Sequence, residues 1–272
     1  MIQTVRRFGV MELRLIFALE QRKEQLFTIR DAKNILGSSD ASVWNVLKRL
    51  RKKKRVIPIQ NGVYLFAPMR SGEEGHWTED AFKTVPSLVN TDDYYIGFVS
   101  AMNHWGMTEQ LPYVVHVALL RQKRPVEAVQ SRFVFVKKKR LGDFVQVKLG
   151  GRAVNVSSPE QTILDGLSFP EYSSGVAGMA KAIHFARKEI DWNKLLRLAM
   201  KDTEAVRRRL GYVLRLLGFK KQAEELKKSG RGFRGLVWLD PSARKDEFTH
   251  DMEWGLKVNV GRERLLEFRE GH

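Results

Sequence analysis

Thr28 to Pro68, TIRDAKNILGSSDASVWNVLKRLRKKKRVIPIQNGVYLFAP, is the stretch whose reading decides the fold. The Thr28 hydroxyl can cap free backbone N–H groups and Asp31 suits the positive end of a helix dipole, so a helix is expected to start there. Ala32, Ile35 and Leu36 form its apolar side, and Gly37 suits a left-handed terminating residue. A further helix begins near Ser38–Asp40, because Val43, Val46, Leu47 and Leu50 recur at helical spacing on one face. The opposite face then carries Ala41, Asn45, Lys48 and Lys52, with Trp44 and Arg49 at its margins. After the basic run Arg51 to Arg55, two apolar segments flank Asn61-Gly62, a pair that tolerates the positive dihedrals of a tight hairpin turn. Helix, turn, basic helix and hairpin together outline a winged helix-turn-helix, a module that sets its second helix in the major groove of DNA.

The outward face of that second helix has the residue types a reading helix needs. Ala41 and Ser42 are small enough for close approach, Asn45 can donate and accept in one plane, and Lys48, Arg49 and Lys52 can neutralise phosphates. Arg55 and Asn61 are expected to touch backbone or minor groove as part of the wing. Thr28 and Ser39, at the starts of the two helices, complete the candidate DNA-binding set in this stretch. A solvated polar face would show the same residues on any surface helix; the turn before it and the hairpin after it are what favour the DNA reading.

Working outward, Val10 to Arg22 reads as an amphipathic helix with Leu13, Ile16, Phe17 and Glu20 on its stripe and Glu12 and Arg14 off it. Pro68 to Gly75 carries turn formers and charge without apolar periodicity and is the expected boundary between a domain at 1–69 and another at 76–272. Beyond it, Ala81 to Leu88 reads as a helix, and Tyr94 to Met107 as a packed helix ending at Gly106. Tyr113–Leu120, Arg132–Val136, Phe144–Leu149 and Ala153–Val156 read as strands, the last two joined by a turn at Gly150-Gly151. In Ser158-Pro159-Glu160-Gln161 a serine cap, a proline at the first helical position and a glutamine closing a capping box mark a helix start. Gly178–Arg187, Trp192–Met200 and Thr203–Leu217 continue as helices, the last with Arg208 and Arg215 outward. Gln222–Lys228 reads as a short charged helix and Phe233–Leu239 as a strand, and the tail to His272 has no clear pattern. The fold class expected is α+β, a winged helix-turn-helix followed by a mixed domain with a small sheet and a helical C-terminal part.

A formal net charge of +17 on 272 residues favours a polyanionic partner, nucleic acid above all. The charge is blocked: residues 1–70 hold 15 Lys/Arg against 5 Asp/Glu, whereas residues 71–120 hold 1 against 7. Residues 121–152 return to 10 against 2 and residues 194–234 to 13 against 4. Within the third block Lys137, Lys138, Lys139 and Arg140 form a basic run in an expected loop and are further candidates for DNA contact. No cysteine is present, which removes disulfides and thiolate metal sites. No apolar run approaches the ~18 residues of a membrane span and no leader-like start is visible, so a cytoplasmic protein is expected.

The chain resembles the AbiEi-type antitoxins, transcriptional regulators found with nucleotidyltransferase toxins in prokaryotic phage-defence operons. The resemblance rests on NGVYLFAP at Asn61–Pro68, YIGFVSAMNHWGMTEQLP at Tyr95–Pro112, SSPEQTILDGLSFPEYSSGV at Ser157–Val176 and RRLGYVLRLLG at Arg208–Gly218. It implies autorepression through operator repeats and antagonism of a toxin without a stable complex; paired repeats on the operator would in turn imply a homodimer on DNA. It also implies some use of the second domain on DNA. His104, Trp105, Pro159, Asp165 and Arg208–Leu210 fall in the shared motifs, and their apolar surroundings suit packing or capping better than catalysis.

An enzyme is the competing reading. The six histidines show no metal-ligand spacing, and no phosphate-binding Gly-Lys-Ser/Thr loop or dinucleotide Gly-x-Gly-x-x-Gly occurs. A magnesium-dependent nuclease could use Asp92, Asp93, Glu160 or Asp165, and an RNA-binding module is the third reading. The expectation is a non-enzymatic, cofactor-free, metal-free DNA-binding regulator.

Overall fold

The computed structural model describes residues 8–22, 26–60, 62–67, 81–110, 113–128, 131–149, 152–228, 233 and 235–269. Asn61, the boundary at 68–75 and the Gly150-Gly151 turn lie outside them. The chain is mixed α+β and forms two compact units: 1–92 with 124–134 and 149–154, and 93–123 with 135–148 and 155–272.

The first unit opens with α1 (Val10–Arg22), β1 (Leu26–Thr28), α2 (Ile29–Leu36) and α3 (Asp40–Lys52), followed by β2 (Val56–Gln60) and β3 (Val63–Phe66). Each boundary has a local cause. Thr28 accepts from the Asp31 backbone N–H while Asp31 Oδ2 accepts from Thr28 N–H, a reciprocal capping box. Gly37 ends α2 at φ 62°, a conformation that glycine adopts without Cβ strain. The three strands pair antiparallel in the order β1-β3-β2. Their core joins Leu15, Ile16, Leu19, Ala32, Leu36, Val43, Val46, Leu47, Leu50 and Phe66. This is the winged helix-turn-helix expected from the sequence, with one further strand, β1, that the hydropathy pattern does not announce.

The α1 stripe differs from the one expected. Its buried positions are Glu12, Leu15, Ile16 and Leu19, and Phe17 is exposed. Both registers have helical spacing, but the true one begins with a glutamate that hydropathy alone assigns to solvent. The same unit holds α4 (Ala81–Val89), β6 (Val126–Ala128) and the first part of β7 (Ser131–Lys137), where Glu127 lies opposite Arg132.

The second unit is built on β4 (Tyr94–Ile96), α5 (Phe98–His104), β5 (Val114–Leu119), most of β8 (Phe144–Leu149), the second half of β9 (Arg152–Ser157) and α6 (Pro159–Ser168). The continuous helix expected from Tyr94 is instead a strand that breaks at Gly97. Tyr94, Tyr95 and Ile96 are all buried between β5, antiparallel, and β9, parallel, and a strand buried on both faces shows no alternation. Within this unit the sheet order is β7-β5-β4-β9-β8, β7 entering from Phe135 and β9 from Asn155. Helices α7 (Gly175–Phe185), α8 (Trp192–Lys201), α9 (Glu204–Leu217) and α10 (Lys220–Lys228) pack with α6 into the larger core around Leu164, Ile183 and Leu210. The C-terminal part adds β10 (Val237–Trp238), β11 (Thr249–Asp251), β12 (Leu256–Val258) and α11 (Arg262–Leu266).

Two further expectations are corrected here. Ser158 caps α6 from the Gln161 N–H, but Ser158 N–H goes to the Asp143 carbonyl and the Gln161 side chain to Asp143 and Asp165, so the capping box stays half made. Arg208 does not face outward: it is 1% exposed, donates to the carbonyls of Gly235 and Gly255, pairs with Glu204, and stacks on Phe233. Its long side chain supplies donors to carbonyls of the irregular C-terminal segment.

Candidate nucleic-acid interface

Helix α3 starts where Ser39 accepts a long hydrogen bond, 3.4 Å, from the Ser42 N–H. Val43, Val46, Leu47 and Leu50 bury one face, which holds the other at the surface. Ala41, Asn45, Lys48, Arg49, Arg51 and Lys52 are exposed there, and Trp44 is 50% exposed beside Asn45. A planar amide flanked by cations, with an aromatic ring at its edge, can hydrogen-bond a base edge while the charges meet phosphate. Asp40 forms a surface ion pair with Lys33 at 2.7 Å, which keeps one carboxylate occupied at the helix start.

Glu12 adds something the sequence reading missed. It is 1% exposed and accepts from Gly9 N–H at 2.9 Å, from Arg49 Nε at 2.8 Å, and from Lys53 Nζ. Burial pushes its carboxyl up, but the hydrogen bonds from Lys53, Gly9 and Arg49 outweigh this and hold it below the ordinary value. Arg49 remains 54% exposed, so its Nε is fixed while the outer guanidinium faces solvent. The available signal is a glutamate at the first position of an apolar i, i+3, i+4, i+7 set in a strongly basic segment.

The remaining candidates are placed unevenly. Thr28 Oγ1 donates to Asp31 Oδ2 at 2.7 Å as well as capping α2, so its hydroxyl is engaged within the fold. Arg55 is not on the wing surface: it is 6% exposed. Its backbone is locked between the Leu50 carbonyl and the Ala67 N–H as the chain turns from α3 into β2. Asn61 is among the residues not described.

In the second unit Lys137 and Lys139 are exposed, whereas Lys138 turns inward onto Asp165 and donates to Tyr95 Oη at 2.7 Å. Arg140 reaches the Lys201 carbonyl at the C-terminal end of α8. The acidic residues that could have served a nuclease are dispersed. Glu160 is buried and accepts from Asp191 N–H, Asp165 is buried under Lys138, Tyr95 and Gln161, and Asp92 and Asp93 sit in a bend. Among the described residues no group of three or more His, Asp or Glu side chains is arranged to hold a metal ion, and no helix is long and apolar enough to cross a membrane.

Comparison with known proteins bears on both units. A solved structure, that of the RV2827C protein from Mycobacterium tuberculosis, matches with a TM-score of 0.72 over 97% of this chain and 96% of that one. Its identity to this chain is 16%, so the likeness shows a shared fold. No curated protein sequence matches. A family model described as "Transcriptional regulator, AbiEi antitoxin" matches residues 14–67, the winged helix, and one described as "AbiEi antitoxin C-terminal domain" matches residues 95–216. With its winged helix and the body of its second unit both matched by models of one family, the chain belongs to the AbiEi antitoxins, a family of transcriptional regulators.

Proposed function

We propose that this regulator is a sequence-specific, duplex-DNA-binding autorepressor and the antitoxin of an AbiE-like toxin–antitoxin system, acting in the cytoplasm without enzymatic activity. The observation that carries the reading is the exposed face of α3, where Asn45 stands among Lys48, Arg49 and Lys52 opposite a fully buried apolar face. In this reading residues 1–69 are the DNA-binding domain and 76–272 the antitoxin domain. Asn45 reads a base edge, Ser39 and Ser42 allow close approach at the helix start, and Lys48, Arg49 and Lys52 meet phosphates. Asn61 supplies the contact of the wing. Thr28 and Arg55 support the module from within, since one hydroxyl is held in a cap and one guanidinium is covered. Lys137, Lys139 and Arg140 offer a second set of phosphate contacts, with Lys138 anchoring their loop. The protein binds operator repeats as two protomers and counters a nucleotidyltransferase-type toxin without a stable complex.

Footprinting on the DNA upstream of its own gene tests this reading. Protection of paired repeats is expected. Uniform, sequence-independent protection, or tighter binding to RNA of equal length, contradicts it.

A further inference from the structure

The second unit contains a cleft of about 960 Å³ whose apolar wall the DNA reading does not use, although it shares cations with it. Its size falls within the range of small-molecule sites, roughly 300–1,000 Å³. Lys137, Lys139, Arg140 and Lys201 line it together with the apolar Leu141, Phe169 and Leu198. Asp143 and Asp202 also line it; Asp143 is bound by Lys194 at 2.8 Å, whereas Asp202 accepts from the neutral Thr203 N–H at 2.6 Å and keeps its charge, one carboxylate against four cations. Among the described residues Lys137, Lys139 and Lys201 have no ion-pair partner, so the cleft carries excess positive charge against low-dielectric walls, which focuses the field on an anion.

The site is built as well as charged. Lys138 and Asp165 form a buried ion pair beneath it, and Tyr95 Oη donates to Asp165 Oδ2 at 2.6 Å. Gln161 Nε2 donates to Asp165 Oδ1 at 2.8 Å, while Gln161 Oε1 accepts from Asp143 N–H at 3.1 Å. Gly142 has no space for a Cβ, because the Gln161 side chain occupies it. Arg140 ties the other side of the loop to the end of α8. Residues 138–143 are therefore held from below and from the side, so Lys139 is presented by a fixed loop, and Lys137 and Lys201 by the ends of β7 and α8. Such preorganisation lowers the entropic cost of binding.

We propose that this cleft binds a small organic phosphate. The dianionic head sits among Lys137, Lys139 and Lys201, and an apolar or aromatic body lies against Leu141, Phe169 and Leu198. Lys138 takes no part in the contact; its charge is already neutralised by Asp165. The proposal does not depend on the DNA reading, although a bound phosphate would occupy two of the cations offered there to DNA.

Calorimetric titration of the full chain with phenyl phosphate, inorganic phosphate and phenol tests it. Phenyl phosphate is expected to bind about tenfold more tightly than inorganic phosphate, and phenol not to bind. A Lys137→Ala/Lys139→Ala/Lys201→Ala variant, altered only at side chains outside the core, should weaken phenyl phosphate at least tenfold. A Lys48→Ala/Lys52→Ala variant should leave it unchanged, whatever becomes of DNA binding. Equal affinity for the two phosphates, or equal weakening by both variants, shows attraction to net charge alone and overturns the proposal. So does an absence of binding.

Discussion

Glu12 Oε1 and Arg49 Nε meet at 2.8 Å across 37 positions of sequence, joining the buried face of α1 to the exposed face of α3. The contact turns a core carboxylate into the support for a surface cation, since Glu12 is covered and Arg49 is not. Replacing Glu12 by Gln keeps the shape and removes the charge. The loss should be about 1–2 kcal/mol in urea unfolding at neutral pH, because Arg49 and Lys53 can return to water instead of staying buried without a partner. A change below about 0.3 kcal/mol would place Glu12 among the neutral positions.

The pH dependence of that support has a definite sign. Glu12 is held below its ordinary value in the fold, so its contribution is present above the unfolded carboxyl value, about 4.3, and is lost as pH falls through the lower folded value. Unfolding of Glu12→Gln should show a shallower loss of stability than the parent as pH falls below the ordinary carboxyl value.

His116 behaves in the same direction at higher pH. Burial against Phe98 and Tyr172 pushes its imidazole down to about 4. Above about pH 6.5 it is neutral in both states; below that the unfolded chain takes the proton first, and stability falls by up to about 1.4 kcal/mol per pH unit until pH reaches the folded value. His116→Gln should remove this part of the slope in urea titrations at pH 5 and pH 7. An identical slope would show that His116 is not the responsible group.

The buried pair in the second unit gives the largest expected effect. Asp165→Asn leaves Lys138 covered beside Tyr95 without a counter-charge, which costs about 3–5 kcal/mol. The double change Asp165→Asn/Lys138→Met should recover much of this. Thermal unfolding of the two variants distinguishes a charge effect from simple loss of packing, for which the double variant would be no better than the single one.

The outer cations of the 137–140 run are separable from the buried one. Lys137→Ala/Lys139→Ala/Arg140→Ala should flatten the slope of log affinity against log salt on operator DNA, by up to about 0.9 for each phosphate those side chains neutralise. An unchanged slope removes these residues from the DNA surface.

Legibility from sequence follows the physics of each segment. The winged helix is readable to its caps because Thr28, Asp31, Gly37 and Ser39 act locally, and local hydrogen bonds leave local signatures. The buried face of α3 is readable because no polar residue interrupts it. The α1 stripe is not, because Glu12 is buried only by virtue of Arg49 and Lys53, which are distant in sequence. Tyr94–Ile96 passes for helix because a strand covered on both sides shows neither period. Arg208 and Lys138 pass for surface residues because nothing adjacent in sequence announces Gly235, Gly255 or Asp165 as their partners. The outline of the α3 face was thus legible, while its support and the cleft beside the basic loop depend on tertiary contacts.

The central claim is base readout by α3, and Asn45→Ala tests it most directly. Asn45 is exposed and packs into no core, so its removal leaves the fold intact. Affinity measured by anisotropy at fixed salt should fall by about 1–3 kcal/mol on the operator repeat and hardly at all on a scrambled duplex of equal length. Equal losses on the two duplexes, or no loss on either, would contradict the account.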